Sequence, residues 1–373
     1  MLRELENYAC SVIPFRVAET PVFIPEDLLN QMTSACDRMV EVISSEDYKK
    51  EALLSVPEGC VVPGDEDRPV MMAFDFAVCR DESGRLVPKL IELQGFPSLF
   101  FYQHLLAQMY RKHFDLPEEI SHLFGRSEVE YLSLMRSVIL NRHSPEQVVL
   151  LEIEPERQNT RIDFKATADK TGIAVVCIAD VLREGRKLFY WRNEEKTEIK
   201  RIYNRVIFDE LKSRHDLNLQ FNLTEDVEVE WVSHPNWFFK ISKYTMPFLK
   251  FDFVPETFFL NEIKQLPADL ENYVLKPLYS FAGSGVEFHV TPEVIRNVQH
   301  PEHYILQRKI SYAPVVQSPD GGVKTEIRLL YVWPKEAPRP VPVINLCRLS
   351  KGEMIGVKYN QEKTWVGSSV GFG

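Results

Sequence analysis

Tyr273-Val274-Leu275-Lys276-Pro277-Leu278-Tyr279-Ser280-Phe281-Ala282-Gly283-Ser284-Gly285-Val286 is an apolar strand with a lysine inside it, running into a loop of small residues. An ammonium in such a strand demands an anion, because burying it unpaired is costly. Backbone N–H groups in a loop such as Ser280–Gly285 can come close to phosphate oxygens. The segment therefore reads as one wall of an anion site. The alternative is an edge-strand lysine followed by an ordinary hairpin turn.

Working outward, Tyr304-Ile-Leu-Gln307-Arg-Lys309-Ile310 is a second apolar strand. Its Gln307 amide and Lys309 could frame an adenine edge or simply mark a strand end. In Lys324-Thr-Glu326-Ile-Arg328-Leu-Leu-Tyr331, residues two apart on a strand face one side, so Glu326 and Arg328 lie together. A carboxylate beside a guanidinium can serve Mg²⁺ and a phosphate, or form a surface ion pair. Much earlier, Phe74-Asp75-Phe76 is followed by Lys89-Leu-Ile-Glu92-Leu-Gln94-Gly95-Phe-Pro97. Glu92 and Gln94 share a face where Gly and Pro stop the strand, and hard oxygen ligands there suit Mg²⁺. In Ile344-Asn345-Leu-Cys-Arg348-Leu-Ser350, alternation puts Asn345 and Arg348 on opposite faces unless a bulge intervenes.

Around these segments the periodicities give an α/β chain in three parts. Residues 1–145 read as mainly helical, with a hairpin of strands at 70–79 and 87–93. Residues 146–232 alternate strands at 148–153, 172–178 and 187–190 with a polar helix, which predicts βαβ units and a parallel sheet. Residues 233–373 read as a mixed α+β lobe with strands at 272–277, 285–290, 303–310, 324–333 and 341–349. The proline-rich stretch 333–342 is expected as a loop, and the glycine-rich end 367–373 as flexible.

The whole chain has 373 residues and a formal net charge of −10. That surface repels phosphate backbones, which argues against a nucleic-acid partner. Six scattered cysteines form no CxxC pair, so reduced thiols in a cytoplasmic protein are expected rather than a zinc site. No stretch reaches the ~20 apolar residues of a membrane span. P-loop and dinucleotide fingerprints are absent. Gly367-Ser-Ser-Val-Gly371 matches a nucleophile elbow, but too little chain follows it to supply an acid and a histidine.

Taken in order, these segments resemble the ATP-grasp superfamily. Within it they are closest in look to the circularly permuted branch that includes eukaryotic-type glutathione synthetase and glutathionylspermidine synthase. That branch carries its Glu-x-Asn metal pair near the N-terminus, the place that Ile91-Glu92-Leu-Gln94-Gly95-Phe-Pro97 occupies here behind Asp75. Arg201-Ile-Tyr-Asn-Arg205 is similar to its Tyr-x-Arg element, and Pro235–Lys243 to its first nucleotide-lysine segment. Val274-Leu-Lys276-Pro277 resembles the second such segment, Ile305-Leu-Gln307-Arg-Lys309 the adenine hinge, and Glu326-Ile-Arg328 the acidic-x-Arg element. The likeness spans residues 65–100 and 200–370. Gln94 stands where the branch has Asn, and the loop after Lys276 lacks the acidic residue or triple glycine of glutathione synthetase.

The resemblance implies an ATP-grasp fold with a smaller βαβ substrate domain, and ATP with Mg²⁺ as cofactors. It implies that Lys276 and either Lys240 or Lys243 neutralise phosphates, while Ser280, Gly283, Ser284 and Gly285 close over them. Gln307 and Lys309 would frame the adenine. Glu92, Gln94 and Glu326 would hold Mg²⁺, and Arg328 or Arg348 would stabilise the transferring phosphoryl group. Arg68, Asp75 and Arg205 are the expected substrate contacts. The implied reaction joins a small-molecule or peptide carboxylate to an amine through an acyl phosphate, and a homodimer is one expected assembly. Two other outcomes are a module that binds nucleotide or peptide without turnover, and a phosphotransferase that stops after phosphoryl transfer.

Overall fold

The computed structural model describes residues 1–279, 285–352 and 362–373. Ser280, Gly283 and Ser284 lie outside the described residues. The strands Met71–Arg80 and Leu86–Gln94 form a hairpin closed by Asp81, whose Oδ1 accepts from the backbone N–H of Ser83 at 2.9 Å and of Arg85 at 3.0 Å. This hairpin is not a local ornament. Met71–Arg80 pairs antiparallel with Gly321–Val332, which in turn pairs with Val341–Ser350, so chain ends more than two hundred residues apart share one sheet. Among the described residues that sheet has six strands, completed by Gly367–Ser369 at one edge and by Pro314–Ser318 beside the start of Gly321–Val332. Buried apolar residues of the helix Glu26–Ser44 (Leu28, Met32, Cys36, Met39 and Ile43 among them) recur at helical spacing and pack in one core with Phe74, Phe76 and Leu329.

The middle of the chain forms a second sheet in which all pairs are parallel, in the order Glu230–Val232, Arg201–Asn204, Val148–Glu152, Ala174–Cys177. Val148–Glu152 is buried at every position, as a covered parallel strand must be. The expected strand at 187–190 does not join it. Lys187–Arg192 is instead the centre of an antiparallel ribbon with Leu182–Glu184 and Glu195–Ile199. Its two connections turn through Gly185 and through Asn193-Glu194, all at positive φ, and links that short fold back as hairpins. A third sheet places Tyr304–Arg308 between Thr257–Phe259 and Tyr273–Pro277, all antiparallel.

Three further expectations need correction. The strand expected at 285–290 reduces to one bridge, Leu275 with Glu287. Pro342 belongs to the strand Val341–Ser350, where a register shift between Leu330 and Tyr331 accommodates it. The chain end is buried rather than loose. Asn345 accepts from Gly371 N–H at 2.7 Å and donates to Gly371 C=O at 2.9 Å, and Gly371–Phe372 pairs parallel with Val22–Phe23. A side chain at Gly371 would strike Ile24 and Asn345, so close packing rather than flexibility explains that glycine.

Candidate active site

Directly opposed residues of an antiparallel pair face the same side. Glu92 opposes Asp75, Asp75 opposes Arg328, and Glu326 opposes Arg348. The sheet therefore carries a ladder of five charged side chains across four strands. One extra residue, Ile91, bulges the Glu92 strand at the step between Asp75 and Phe76. Such bulges re-aim a side chain.

The ladder is graded from a sealed floor to an open rim. Asp75 has no exposure, the Glu326 and Arg328 side chains are 5% and 9% exposed, and Glu92 and Arg348 are 24% and 30% exposed. Asp75 accepts from Arg328 Nε and Nη2 at 2.6 Å each and from Arg348 Nη2 at 2.7 Å. Arg348 also pairs with Glu326, and Arg328 Nη2 lies 3.9 Å from Glu92. Gln94 donates to Glu92 Oε1 at 2.7 Å, and the Tyr312 hydroxyl reaches Glu326 Oε2 at 3.4 Å. Tyr312 was not singled out from sequence, because no periodicity marks a lone loop tyrosine.

Two lysines face this ladder from other elements. The segment 241–253 runs along the Glu92 strand, tied by Gly95 N–H to Ile241 C=O and Leu90 N–H to Phe253 C=O, each at 2.8 Å. That contact sets Lys243 against Glu92. Lys276 enters from the third sheet and interacts with Glu92, Glu326 and Asp75. Burial alone would raise the Glu92 carboxyl, but Lys243, Arg328, Lys276 and Arg348 outweigh it and hold the group at about 2. Burial pushes the Glu326 carboxyl the other way, up to about 7, with Arg348 opposing and Asp75 reinforcing. Burial also pulls the Lys276 ammonium down to about 8 against the attraction of Glu92. Counted at full charge, Arg328, Arg348, Lys243 and Lys276 exceed Asp75, Glu92 and Glu326 by one. A cationic excess inside a chain of net charge −10 focuses an anion here.

Glu326 gives a pH test of this environment. A carboxyl raised in the folded state contributes stability that is full below the unfolded value of 4.5 and lost as the pH rises through about 7. The unfolding free energy of the wild type therefore falls relative to that of Glu326→Gln across that window. Parallel pH profiles in denaturant titrations would show that Glu326 titrates as an ordinary carboxyl.

The other residues expected at the site are more dispersed. Lys240 pairs with Asp65, and its ammonium lies 4.9 Å from the Trp237 ring. Gln307 is buried and donates to Thr257 Oγ1 at 3.4 Å, while Lys309 is exposed at the end of the same strand. Gly285 has φ +71°, and a side chain there would meet Pro277 Cγ at 2.9 Å, so Gly285 packs directly against the residue that follows Lys276. Arg68 is outside the ladder. Its guanidinium donates to the carbonyls of Pro334, Lys335 and Ala337 and lies 5.0 Å from the Trp333 ring, which makes it a clasp on the proline-rich loop.

Arg205 stands at the carboxyl end of Arg201–Asn204, next to Glu152 at the carboxyl end of Val148–Glu152. Its Nη1 donates to Pro97 C=O at 3.4 Å, the guanidinium lies 4.7 Å from the Phe96 ring, and Nε is buried without a hydrogen-bond partner. Burial raises the Glu152 carboxyl to about 7, with Arg205 pulling it down. Because Phe96 and Pro97 directly follow Gln94-Gly95, this second polar pair adjoins the end of the Glu92 strand. Two cavities of about 260 Å³ each open elsewhere, around Trp237, Lys49 and Asp67, and no member of the ladder lines them.

Gly95 is where the Glu92 strand and the Trp237–Ile241 segment approach closely. An added Cβ would lie 2.3 Å from Trp237 C=O and 3.1 Å from Ile241 Cβ, and the first of these is backbone that cannot rotate away. Gly95→Ala is expected to cost about 1–3 kcal/mol, as overpacking does. The drop would be read as a lower denaturant midpoint at unchanged slope. An unchanged midpoint would mean that Lys243 is not held against Glu92 by this contact.

The chain has a glutathione synthetase-like fold. A glutathione synthetase-like effector from Globodera pallida, solved in its apo form, superposes with a TM-score of 0.58 over 94% of this chain and 93% of its own, at 11% sequence identity. No family profile and no curated protein sequence matches the chain. The six cysteines are free thiols, and among the described residues no helix is long and apolar enough to cross a membrane.

Proposed function

We propose that this chain is an ATP- and Mg²⁺-dependent ligase of the ATP-grasp type that joins a carboxylate to an amine. The observation that carries the reading is the convergence of Glu92, Asp75, Glu326, Arg328 and Arg348 on one sheet face, with Lys243 and Lys276 facing them.

The residues fit a metal that arrives with phosphates. Among the described residues no three His, Cys, Asp or Glu side chains form a metal-holding group. Mg²⁺ commonly needs only one or two carboxylates when substrate phosphates and water complete its octahedron. Glu92 and Glu326, with the Gln94 carbonyl oxygen, would hold it, and its chemistry there is to neutralise charge on the phosphates. Lys276 and Lys243 bind phosphate oxygens, Arg328 and Arg348 stabilise charge on the transferred group, and Gln307 frames the base. Arg205 orients the substrate carboxylate at the carboxyl ends of the parallel strands, where open α/β sheets bind ligands. The carboxylate attacks the terminal phosphorus and ADP departs; the amine nitrogen then attacks the acyl carbon, the C–N bond forms, the C–O bond to phosphate breaks, and inorganic phosphate leaves. Exclusion of water protects that intermediate.

A second reading, a binding module without turnover, is favoured by one observation: the Gln94 amide and both arginines are already engaged by carboxylates of the chain itself. Phosphate release measured with ATP, Mg²⁺ and panels of amino acids and peptides separates the readings. Release that requires both an acid and an amine supports the ligase. ATP binding with no release under any pairing supports the module.

A further inference from the structure

Two carboxylates of the chain occupy the arginines that the proposed reaction assigns to phosphate. Asp75 takes Arg328 in a two-point grip and one N–H of Arg348, and Glu326 takes the same Arg348 from the neighbouring strand. Such grips are the contacts a phosphate makes with arginine. The two carboxylates differ in what can replace them. Asp75 is sealed in the sheet and holds Arg328, which is itself buried. Glu326 holds Arg348, whose side chain keeps access to the rim, and Arg348 Nε is buried without a hydrogen-bond partner. Arg348 therefore has donor capacity that its present partners leave unused. It is the arginine able to exchange one anion for another.

We infer that Glu326 is an internal stand-in for nucleotide phosphate on Arg348, and that the exchange of this ion pair couples metal binding to nucleotide binding. With Glu92 and Glu326 both holding Mg²⁺, Arg348 would be released to the phosphates. When the metal is absent, phosphate must compete with Glu326 for the same guanidinium. Asp75 does not take part in the exchange; it fixes the base of both arginines in either state. The inference rests on the nucleotide reading given above.

Calorimetric titration of ATP into the wild type and Glu326→Gln, each with Mg²⁺ and with the metal chelated, tests it. Glutamine preserves shape but removes the charge that competes with phosphate. The variant is expected to bind metal-free ATP about tenfold more tightly than the wild type, within the usual range of coupling between sites. It should also lose most of the tightening that Mg²⁺ gives the wild type. A variant that binds metal-free ATP no better than a wild type that does bind it overturns the inference while leaving the nucleotide reading intact. A wild type that binds ATP under neither condition overturns both. If Glu326→Gln does not fold, titration of MgCl₂ alone into Arg348→Gln decides the matter from the other side. Freed of its partner, Glu326 should take Mg²⁺ more tightly than in the wild type, and unchanged or weaker Mg²⁺ binding overturns the inference.

Discussion

Asp75→Ala is expected to lose about 3–5 kcal/mol of unfolding free energy, the scale seen when one partner of a buried ion pair is removed. The carboxylate is fully enclosed and accepts three short hydrogen bonds from two guanidinium groups. Its loss takes from Arg328 its two-point partner, leaving Glu92 at 3.9 Å, and takes from Arg348 one of the two carboxylates it pairs with, leaving Glu326. Asp75→Asn should lose nearly as much, because an amide lacks the charge. Urea or guanidinium titration followed by circular dichroism gives the number. A loss below about 1 kcal/mol, the worth of an exposed pair, would mean that Glu92 and Glu326 rescue both arginines. Asp75 was expected to touch substrate. Its position beneath the arginines makes it their anchor instead.

Lys276→Met should weaken ATP binding about 10- to 100-fold, the range for losing a hydrogen bond to a charged group, and should leave the fold intact. Stability should in fact improve near neutral pH. Burial holds the Lys276 ammonium at about 8, below its model-compound value of 10.5. A lowered value means that the charged form is disfavoured by folding. The penalty is complete below pH 8 and disappears as the pH rises past 10.5, so the wild type gains stability across that window and the methionine variant does not. Nucleotide affinity should run the opposite way, declining above pH 8 in the wild type as the ammonium is lost. Equal ATP affinity in the two proteins, at any pH, would make Lys276 a structural residue only.

The parts of the site legible in the sequence are those set by strand alternation. Glu326 and Arg328 share a face, Glu92 and Gln94 touch, and Arg348 and Asn345 do different work on opposite faces, all from the two-residue repeat. The parts that were not legible depend on contacts between distant segments. Nothing local distinguishes Lys240 from Lys243. They differ in tertiary partners: Asp65 pairs with the first, and the run of 241–253 beside Glu92 sets the second against that carboxylate. What tells Arg68 from a free surface arginine is the proline-rich loop, whose carbonyls its guanidinium holds. Gly367–Gly373 was read from its glycine content alone. The partner that fixes it, Asn345, is a residue whose role alternation could locate but not assign.

The fold was legible to a similar depth. The hairpin 71–94 and the alternation of strand and helix after 148 follow from local pattern. The joining of that hairpin to Gly321–Val332 does not, because register between strands so far apart is set by which buried faces match. The strand at 187–190 reads as part of the parallel sheet because an apolar run alone does not tell a parallel strand from the middle of an antiparallel ribbon.

The most direct test is a crystal structure of the chain with a non-hydrolysable ATP analogue and Mg²⁺. The account predicts the triphosphate between Lys276, Lys243 and the Glu92–Asp75–Arg328 face, with Mg²⁺ on Glu92 and Glu326 and Arg348 turned from Glu326 to a phosphate. A nucleotide seated anywhere else, with Glu326 still closed on Arg348, would contradict it.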